Sequence, residues 1–173
     1  MKFESKILNR ERKTLEFIGL YEIIGGIIGI GLIFLGKISL DRFSIFGVLI
    51  MALIIAFYSF SIYAGIKLFR HHEKEVLYSK IVQYVQIPSF ALLGFMFTMT
   101  AGFSFFIGFD YTNDFLFRAF FELPSVGTKF YIKSDDTIIY VYLNLIPIII
   151  NFLIEKSASK IEMVKEKIEI IKD

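Results

Sequence analysis

The last apolar segment of the chain reads, from Thr137 to Ile154, TIIYVYLNLIPIIINFLI. If this segment and the residue after it are helical, its polar residues and one proline share one face at spacings of four, three, four and four: Tyr140, Asn144, Pro147, Asn151 and Glu155. An unsatisfied amide in hydrocarbon costs several kilocalories per mole, so this face should contact protein or water. The segment therefore predicts a transmembrane helix with a polar stripe turned toward the inside of a bundle.

The composition also indicates a membrane protein. Of the 173 residues, 55% are hydrophobic and 17% aromatic, which is far from the average of soluble proteins. Four apolar blocks reach or approach the roughly 20 residues that a helix needs to cross a bilayer; they are 17–35, 45–66, 85–101 and 138–154. We therefore predict an all-α integral membrane protein with four transmembrane helices. The first block is too long for a cleaved signal peptide and should persist in the mature protein.

The basic residues predict the orientation of these spans. The segment before span one and the segment after span four hold five Lys and Arg each, and the connection between spans two and three holds four. Only five remain for the other two connections. The positive-inside rule then places both termini in the cytoplasm. We expect a multi-pass protein of a bacterial inner membrane, since the abundance of Ile, Phe, Lys and Tyr fits an AT-rich bacterial genome.

Three regions follow from this pattern: a cytoplasmic amphipathic arm (1–16), a four-helix membrane domain (17–154) and a cytoplasmic helical tail (155–173). The tail repeats apolar residues at three and four, which fits either a short coiled coil or an amphipathic helix docked on the bundle or on the membrane surface.

The extracytoplasmic loop 102–136 connects spans three and four. It alternates aromatic and small residues and contains turn signals at Pro124 and Gly127, so it predicts a small β-rich element. A short re-entrant segment over Phe115 to Phe121 is the alternative.

Span one carries two features of interest. Gly25, Gly26 and Gly29 lie on nearly one face and predict a surface for close helix packing. They do not form a phosphate-binding loop, because no Gly-Lys-Ser/Thr sequence follows them. Glu22 is the only acid well inside a span, and a carboxylate in a membrane is by default a functional hypothesis; snorkelling or structural pairing is the alternative.

The sequence contains no signature of catalysis. No catalytic triad, zinc motif, phosphate loop or carboxylate pair within one span is present, and the absence of cysteine excludes thiol chemistry. The neighbouring His71 and His72 point to different sides of a helix, so with Glu75 they supply at most two metal ligands. We expect no enzyme, no cofactor and no metal.

The leading functional hypothesis is a homo-oligomeric channel or pore-forming protein. Span four would line the path with Tyr140, Asn144 and Asn151, while Glu22 or Glu155 would set the field near the inner mouth. By analogy with ligand-gated bacterial effectors, a nucleotide or oligonucleotide could bind a basic cytoplasmic face, which consists of Lys6, Arg10, Arg12, Lys13, Arg70 and Lys74.

Two alternatives stay open. One is a non-catalytic accessory subunit of a larger membrane complex, in which the polar stripe and the glycine face serve for packing. The other is a small proton-coupled exporter that uses Glu22. The expected partners are membrane lipids, further copies of the chain, the anionic ligand and other membrane subunits.

Overall fold

The computed structural model describes residues 2–35, 45–71, 75–132 and 138–172. Within them it contains four helices and a four-stranded sheet. The elements are, in chain order, α1 (Lys2–Phe34), α2 (Ile45–His71), α3 (Val76–Val85), β1 (Pro88–Leu92), β2 (Phe95–Asp110), β3 (Leu116–Ile132), β4 (Tyr140–Asn144) and α4 (Leu145–Lys172). The prediction of an all-α bundle with four transmembrane helices is therefore wrong.

The error concerns the third and fourth predicted spans. The block 85–101 forms β1 and the first half of β2, because Pro88 cannot continue a helix and Leu93 and Gly94, both with positive φ, make a tight turn. In the block 138–154 the helix begins only at Leu145. The residues before it are rich in tyrosine and valine, which favour a strand, and they form β4.

Helices α1 and α2 form an antiparallel pair that contains the first two predicted spans. Two helical segments are long and apolar enough to cross a membrane, namely Glu4–Phe34 and Gly47–Arg70. Their backbones approach closely where Gly19 faces Gly65: a Cβ atom on Gly19 would lie 2.7 Å from the carbonyl oxygen of Gly65. Small residues allow such an approach, as in many pairs of membrane helices.

The sheet is antiparallel and strongly bent. Strand β1 pairs with the first half of β2 and with β4, and β4 pairs in turn with the second half of β2. Strands β1, β2 and β4 are thus each paired with the other two. This is possible because β2 changes direction at Gly102, where φ is +133° and the register with β3 shifts. Strand β3 follows β2 along nearly its whole length. The loop 102–136 thus contributes to a sheet much larger than predicted, and the re-entrant alternative over Phe115 to Phe121 is wrong.

Two apolar cores hold these elements together. One lies between α2 and the first half of β2 and consists of Ile50, Ile54, Tyr58, Met99 and Ala101. The other joins α1, α2 and α4 and consists of Leu15, Ile18, Leu68, Ile154 and Ile161. Helix α1 continues through the predicted arm without a break, and the tail packs against it in the second core. This packing favours a tail docked on the bundle, because Ile161 is fully buried within the chain.

Candidate functional site

Glu22 is the centre of a buried polar cluster between α1, α2 and α3. Its side chain is 1% exposed, and its Oε1 atom accepts hydrogen bonds from Ser79 Oγ at 2.5 Å and from Gln83 Nε2 at 2.7 Å. Ser79 and Gln83 are four residues apart and therefore share one face of α3. Ser61 on α2 donates to the backbone carbonyl of Glu22 at 3.1 Å. We refer to Glu22, Ser61, Ser79 and Gln83 as the Glu22 cluster.

Several buried polar atoms of Glu22, Gln83 and Asn151 have no hydrogen-bond partner among the described residues. They are Glu22 Oε2, Gln83 Oε1 and both the Oδ1 and Nδ2 atoms of Asn151 on α4. A buried polar atom without a partner costs free energy, so this cluster retains unused capacity to bind water or an ion.

The predicted polar stripe of the last span is not one face of a helix. Tyr140 lies in β4, where its ring stacks on Tyr142 at a centroid distance of 4.9 Å. Asn144 ends β4, whereas Asn151 is buried in α4 and Glu155 is exposed and pairs with Lys80 at 3.8 Å. Because a strand and a helix have different periods, these residues do not form a continuous lining.

Asn144 instead joins the sheet to α4. It is fully buried, and its Oδ1 atom accepts hydrogen bonds from the backbone N–H groups of Phe105 at 3.0 Å and Ile146 at 3.3 Å. Its Nδ2 atom donates to Ser104 Oγ at 2.9 Å. The bond to Ile146 is the typical N-cap interaction of asparagine. Asn144 is therefore a structural residue that starts α4 and ties this helix to β2.

The glycine face of α1 contacts other elements of the same chain. A Cβ atom on Gly25 would lie 2.6 Å from the carbonyl oxygen of Ala101 in β2, and one on Gly26 would lie 2.8 Å from that of Tyr58 in α2. Gly29 lies against the ring of Tyr58. The three glycines thus let α1 approach both α2 and the sheet.

The predicted anionic-ligand face is assembled only in part. Lys6, Arg10 and Lys13 line one cleft on α1. The charge of Arg10 is offset by Glu11, whose Oε1 lies 2.6 Å from Nη2. Arg12 follows on the same helix, Arg70 lies near the C-terminal end of α2, where Leu68 shares a core with Leu15 of α1, and Lys74 is outside the described residues. The binding of a nucleotide at this face stays a prediction.

A second polar site, which the sequence did not predict, lies where β2 ends. Asp110 accepts hydrogen bonds from the backbone N–H of Thr112 at 2.9 Å and from the Tyr142 hydroxyl at 3.2 Å, and it pairs with Arg118 at 3.2 Å. The bonds from Thr112 and the Arg118 guanidinium hold the pKa of Asp110 below its usual value. Burial and the Asp110 carboxylate raise the pKa of Tyr142. Asp110 at the end of β2 meets Arg118 only because β2 pairs with β3 in this register. The spacing of the two residues in the sequence could not have identified this site.

We expect the Asp110 site to make stability depend on pH. A carboxylate whose pKa is lowered by folding stabilises the chain above its unfolded pKa of about 3.9, and this contribution is lost as the pH falls through the lower folded value. Asp110→Asn should lower the free energy of unfolding by about 1 kcal/mol at pH 7. The difference between wild type and variant, followed by thermal unfolding from pH 7 to pH 3, should shrink below about pH 4. A constant difference over this range would contradict the assignment.

A shallow apolar groove runs between α1 and the bend of β2. It is lined by Phe17, Leu20, Tyr21, Ile24, Gly25, Ile28, Gly102 and Phe103. Tyr21 crosses its floor, where the hydroxyl accepts a hydrogen bond from the backbone N–H of Phe103 at 2.9 Å. The groove is part of an exposed apolar surface that includes Phe17 on α1 and Phe103 on β2.

Taken together, the fold defines an α+β chain with two helices of membrane-spanning length, a bent sheet packed beside them and a buried polar cluster around Glu22. No known protein family, no curated protein and no solved structure matches this chain. Among the residues that the structure describes, no group of three or more His, Cys, Asp or Glu side chains could hold a metal ion.

Proposed function

We propose that this chain is a non-catalytic subunit of a membrane assembly, inserted through α1 and α2 and covered along β3 by another protein. The observation that carries the proposal is the position of the sheet. Strand β2 packs beside the apolar halves of both long helices, and not beyond their ends.

Three contacts define this position. Gly25 of α1 lies against Ala101, and the hydroxyl of Tyr58 in α2 donates to the carbonyl of Thr100 at 3.1 Å. Ile50 and Ile54 pack with Met99 in the same layer. If α1 and α2 cross the bilayer, the first half of β2 therefore lies at membrane depth.

A sheet at this depth needs protein on its open edge. In the described part of the chain, β3 pairs only with β2, so its other edge carries backbone groups without strand partners. Open sheet edges do not face hydrocarbon, because their N–H and C=O groups would remain unsatisfied. Further along β3, beside the second half of β2, the described side chains are apolar and exposed: Phe117 is 62% and Phe121 51% exposed. This combination favours a protein neighbour over lipid as the cover of β3.

The other hypotheses have less support from the fold. The channel depended on a polar stripe along a fourth transmembrane helix, and the residues of that stripe are divided between β4 and α4. The exporter depended on Glu22 within a bundle of four transmembrane helices, whereas only two of the described helices are long and apolar enough to cross a membrane. Both stay predictions from the sequence, as do the bacterial inner membrane and the cytoplasmic position of the termini.

Single-cysteine cross-linking tests the proposal, because the native chain contains no cysteine. Phe117→Cys places a thiol on the exposed part of β3, and Glu162→Cys places one on the exposed side of α4 as a matched control. After expression in membranes, a bifunctional thiol- and amine-reactive reagent should give a discrete protein adduct with Phe117→Cys and little or none with Glu162→Cys.

Mass spectrometry of the adduct then identifies its second component. A second copy of the chain indicates a homo-oligomer, and a different membrane protein indicates an accessory subunit; either result supports a protein cover on β3. Extraction of the native chain from membranes by alkaline carbonate, or no adduct specific to Phe117→Cys, would overturn the proposal.

A further inference from the structure

Three buried residues on three different helices have polar atoms without a hydrogen-bond partner among the described residues. Glu22 is on α1, Gln83 is on α3 and Asn151 is on α4, and their side chains are 1%, 1% and 7% exposed. Together they leave three side-chain oxygens and one amide nitrogen without a hydrogen-bond partner among the described residues. Buried polar atoms are usually hydrogen-bonded, so each unpaired one calls for an explanation.

The register of α3 against α4 places Gln83 level with Asn151. At one end, Lys80 pairs with Glu155 at 3.8 Å, and at the other, the Asn144 N–H donates to the carbonyl of Ile87 at 2.8 Å. The two helices are therefore antiparallel. Since each residue of a helix rises by about 1.5 Å, residue 83 on one helix and residue 151 on the other reach nearly the same height.

The register of α1 against α4 brings Glu22 to the same layer. Glu11 accepts a hydrogen bond from Ser157 at 3.0 Å, and Ile18 shares a core with Ile154. These helices are antiparallel as well. One further turn along α1 and one turn back along α4 lead to Glu22 and to within a turn of Asn151.

The charge of this layer is unbalanced when Glu22 is ionised. No described Lys or Arg forms an ion pair with Glu22. Lys80, which follows Ser79 in the sequence, forms its ion pair with the exposed Glu155. The atoms available around the carboxylate are oxygens of an amide and a hydroxyl, which bind hard cations. Because the set contains only one carboxylate, a single positive charge matches it, whereas divalent ions are usually bound by several carboxylates.

We propose that Glu22, Gln83 and Asn151, together with the Ser79 hydroxyl, bind one monovalent cation of the size of sodium between α1, α3 and α4. The ion would complete the interactions of Glu22 Oε2, Gln83 Oε1 and Asn151 Oδ1. The ion would also link α1, α3 and α4 through one ligand residue or more from each helix. Its binding would therefore stabilise the folded chain. This inference is independent of the partner proposed for β3.

The test measures the thermal unfolding of the full-length protein in detergent micelles, in sodium chloride and in choline chloride at equal ionic strength. A ligand that binds only the folded state raises the unfolding temperature in proportion to the logarithm of its concentration. We expect a sodium-specific, concentration-dependent rise of about 5 °C at concentrations well above the dissociation constant. Potassium should give a smaller rise in the unfolding temperature. It is larger than sodium, and the packed helices limit how far the ligand oxygens can move apart.

Glu22→Gln should abolish the sodium dependence, while Glu155→Gln, a matched change at an exposed glutamate of α4, should retain it. Asn151→Leu should raise the sodium concentration at half-effect about tenfold, which keeps the proposal testable if Glu22→Gln does not fold. Equal unfolding temperatures in sodium and choline chloride would overturn the site. A sodium effect of the same size in Glu22→Gln and Asn151→Leu would do so too, because it would be a general salt effect.

Discussion

Asn144→Leu should destabilise the folded chain by about 3 kcal/mol or more, the largest effect that we expect from a polar substitution. The change removes the N-cap of α4, leaves the buried N–H of Phe105 without an acceptor and takes away the amide that binds Ser104. Each loss contributes on the order of 1 kcal/mol, and an unsatisfied buried donor adds its desolvation cost. Denaturant unfolding in detergent micelles measures the effect. It is monitored by circular dichroism, because the chain contains no tryptophan for fluorescence.

Asn144→Asp is the matched control for this prediction. It retains the oxygen that accepts hydrogen bonds from Phe105 and Ile146 and loses the donor to Ser104. The negative charge that it adds is buried, but these donors and the N-terminus of α4 stabilise it. We therefore expect a smaller loss of stability than with leucine. If leucine and aspartate had equal effects, or if leucine were neutral, Asn144 would not be the junction between the sheet and α4 that the structure describes.

Gly65→Ala should be destabilising by about 2 kcal/mol, whereas Gly31→Ala should be neutral or stabilising by up to about 1 kcal/mol. Both residues lie in long helices, so alanine raises the helix propensity at both positions. A Cβ atom at Gly65 would, however, lie 2.5 Å from the carbonyl oxygen of Gly19, while one at Gly31 would have no neighbour within 4 Å. Only Gly65→Ala therefore forces α1 and α2 apart.

The measurement is the difference in unfolding temperature between the two variants, each compared with wild type in the same detergent. The pair controls for the loss of a glycine, since only the contact across the helix pair differs. Equal shifts for both variants would contradict the close crossing of α1 and α2. The result would bear on the proposed insertion as well, because this pair contains both segments that could cross a membrane.

The two predicted spans that proved wrong share one physical cause. The length of an apolar block reports burial away from water, and it does not distinguish a helix in lipid from a strand covered by protein. The first half of β2 is buried on both faces at residues 98–101. On one of these faces Met99 and Ala101 pack with apolar side chains of α2. The period of two was visible in the sequence from Phe103 to Tyr111, but the same strand begins eight residues earlier at Phe95.

The candidate site was predicted unevenly for a related reason. Glu22 was identified because a carboxylate in an apolar helix is unusual on its own, and this needs no knowledge of its neighbours. Its partners Ser79 and Gln83 were not identified, because serine and glutamine at the start of an apolar block are ordinary. Asn144 was identified as important, but its role was assigned to a pore, since the donors that it satisfies lie about 40 positions away in the chain.

The sequence by itself determined the features that depend on neighbours a few residues apart. These are the two long apolar helices, the glycine face of α1, the isolated carboxylate of Glu22 and the absence of thiol chemistry. The tertiary structure alone decided that the last apolar segment is half strand and half helix, that the glycines and Asn144 serve contacts within the chain, and that Glu22 meets α3. Each of these depends on strand register or helix packing between distant segments, and such pairings depend on the free energy of the whole fold.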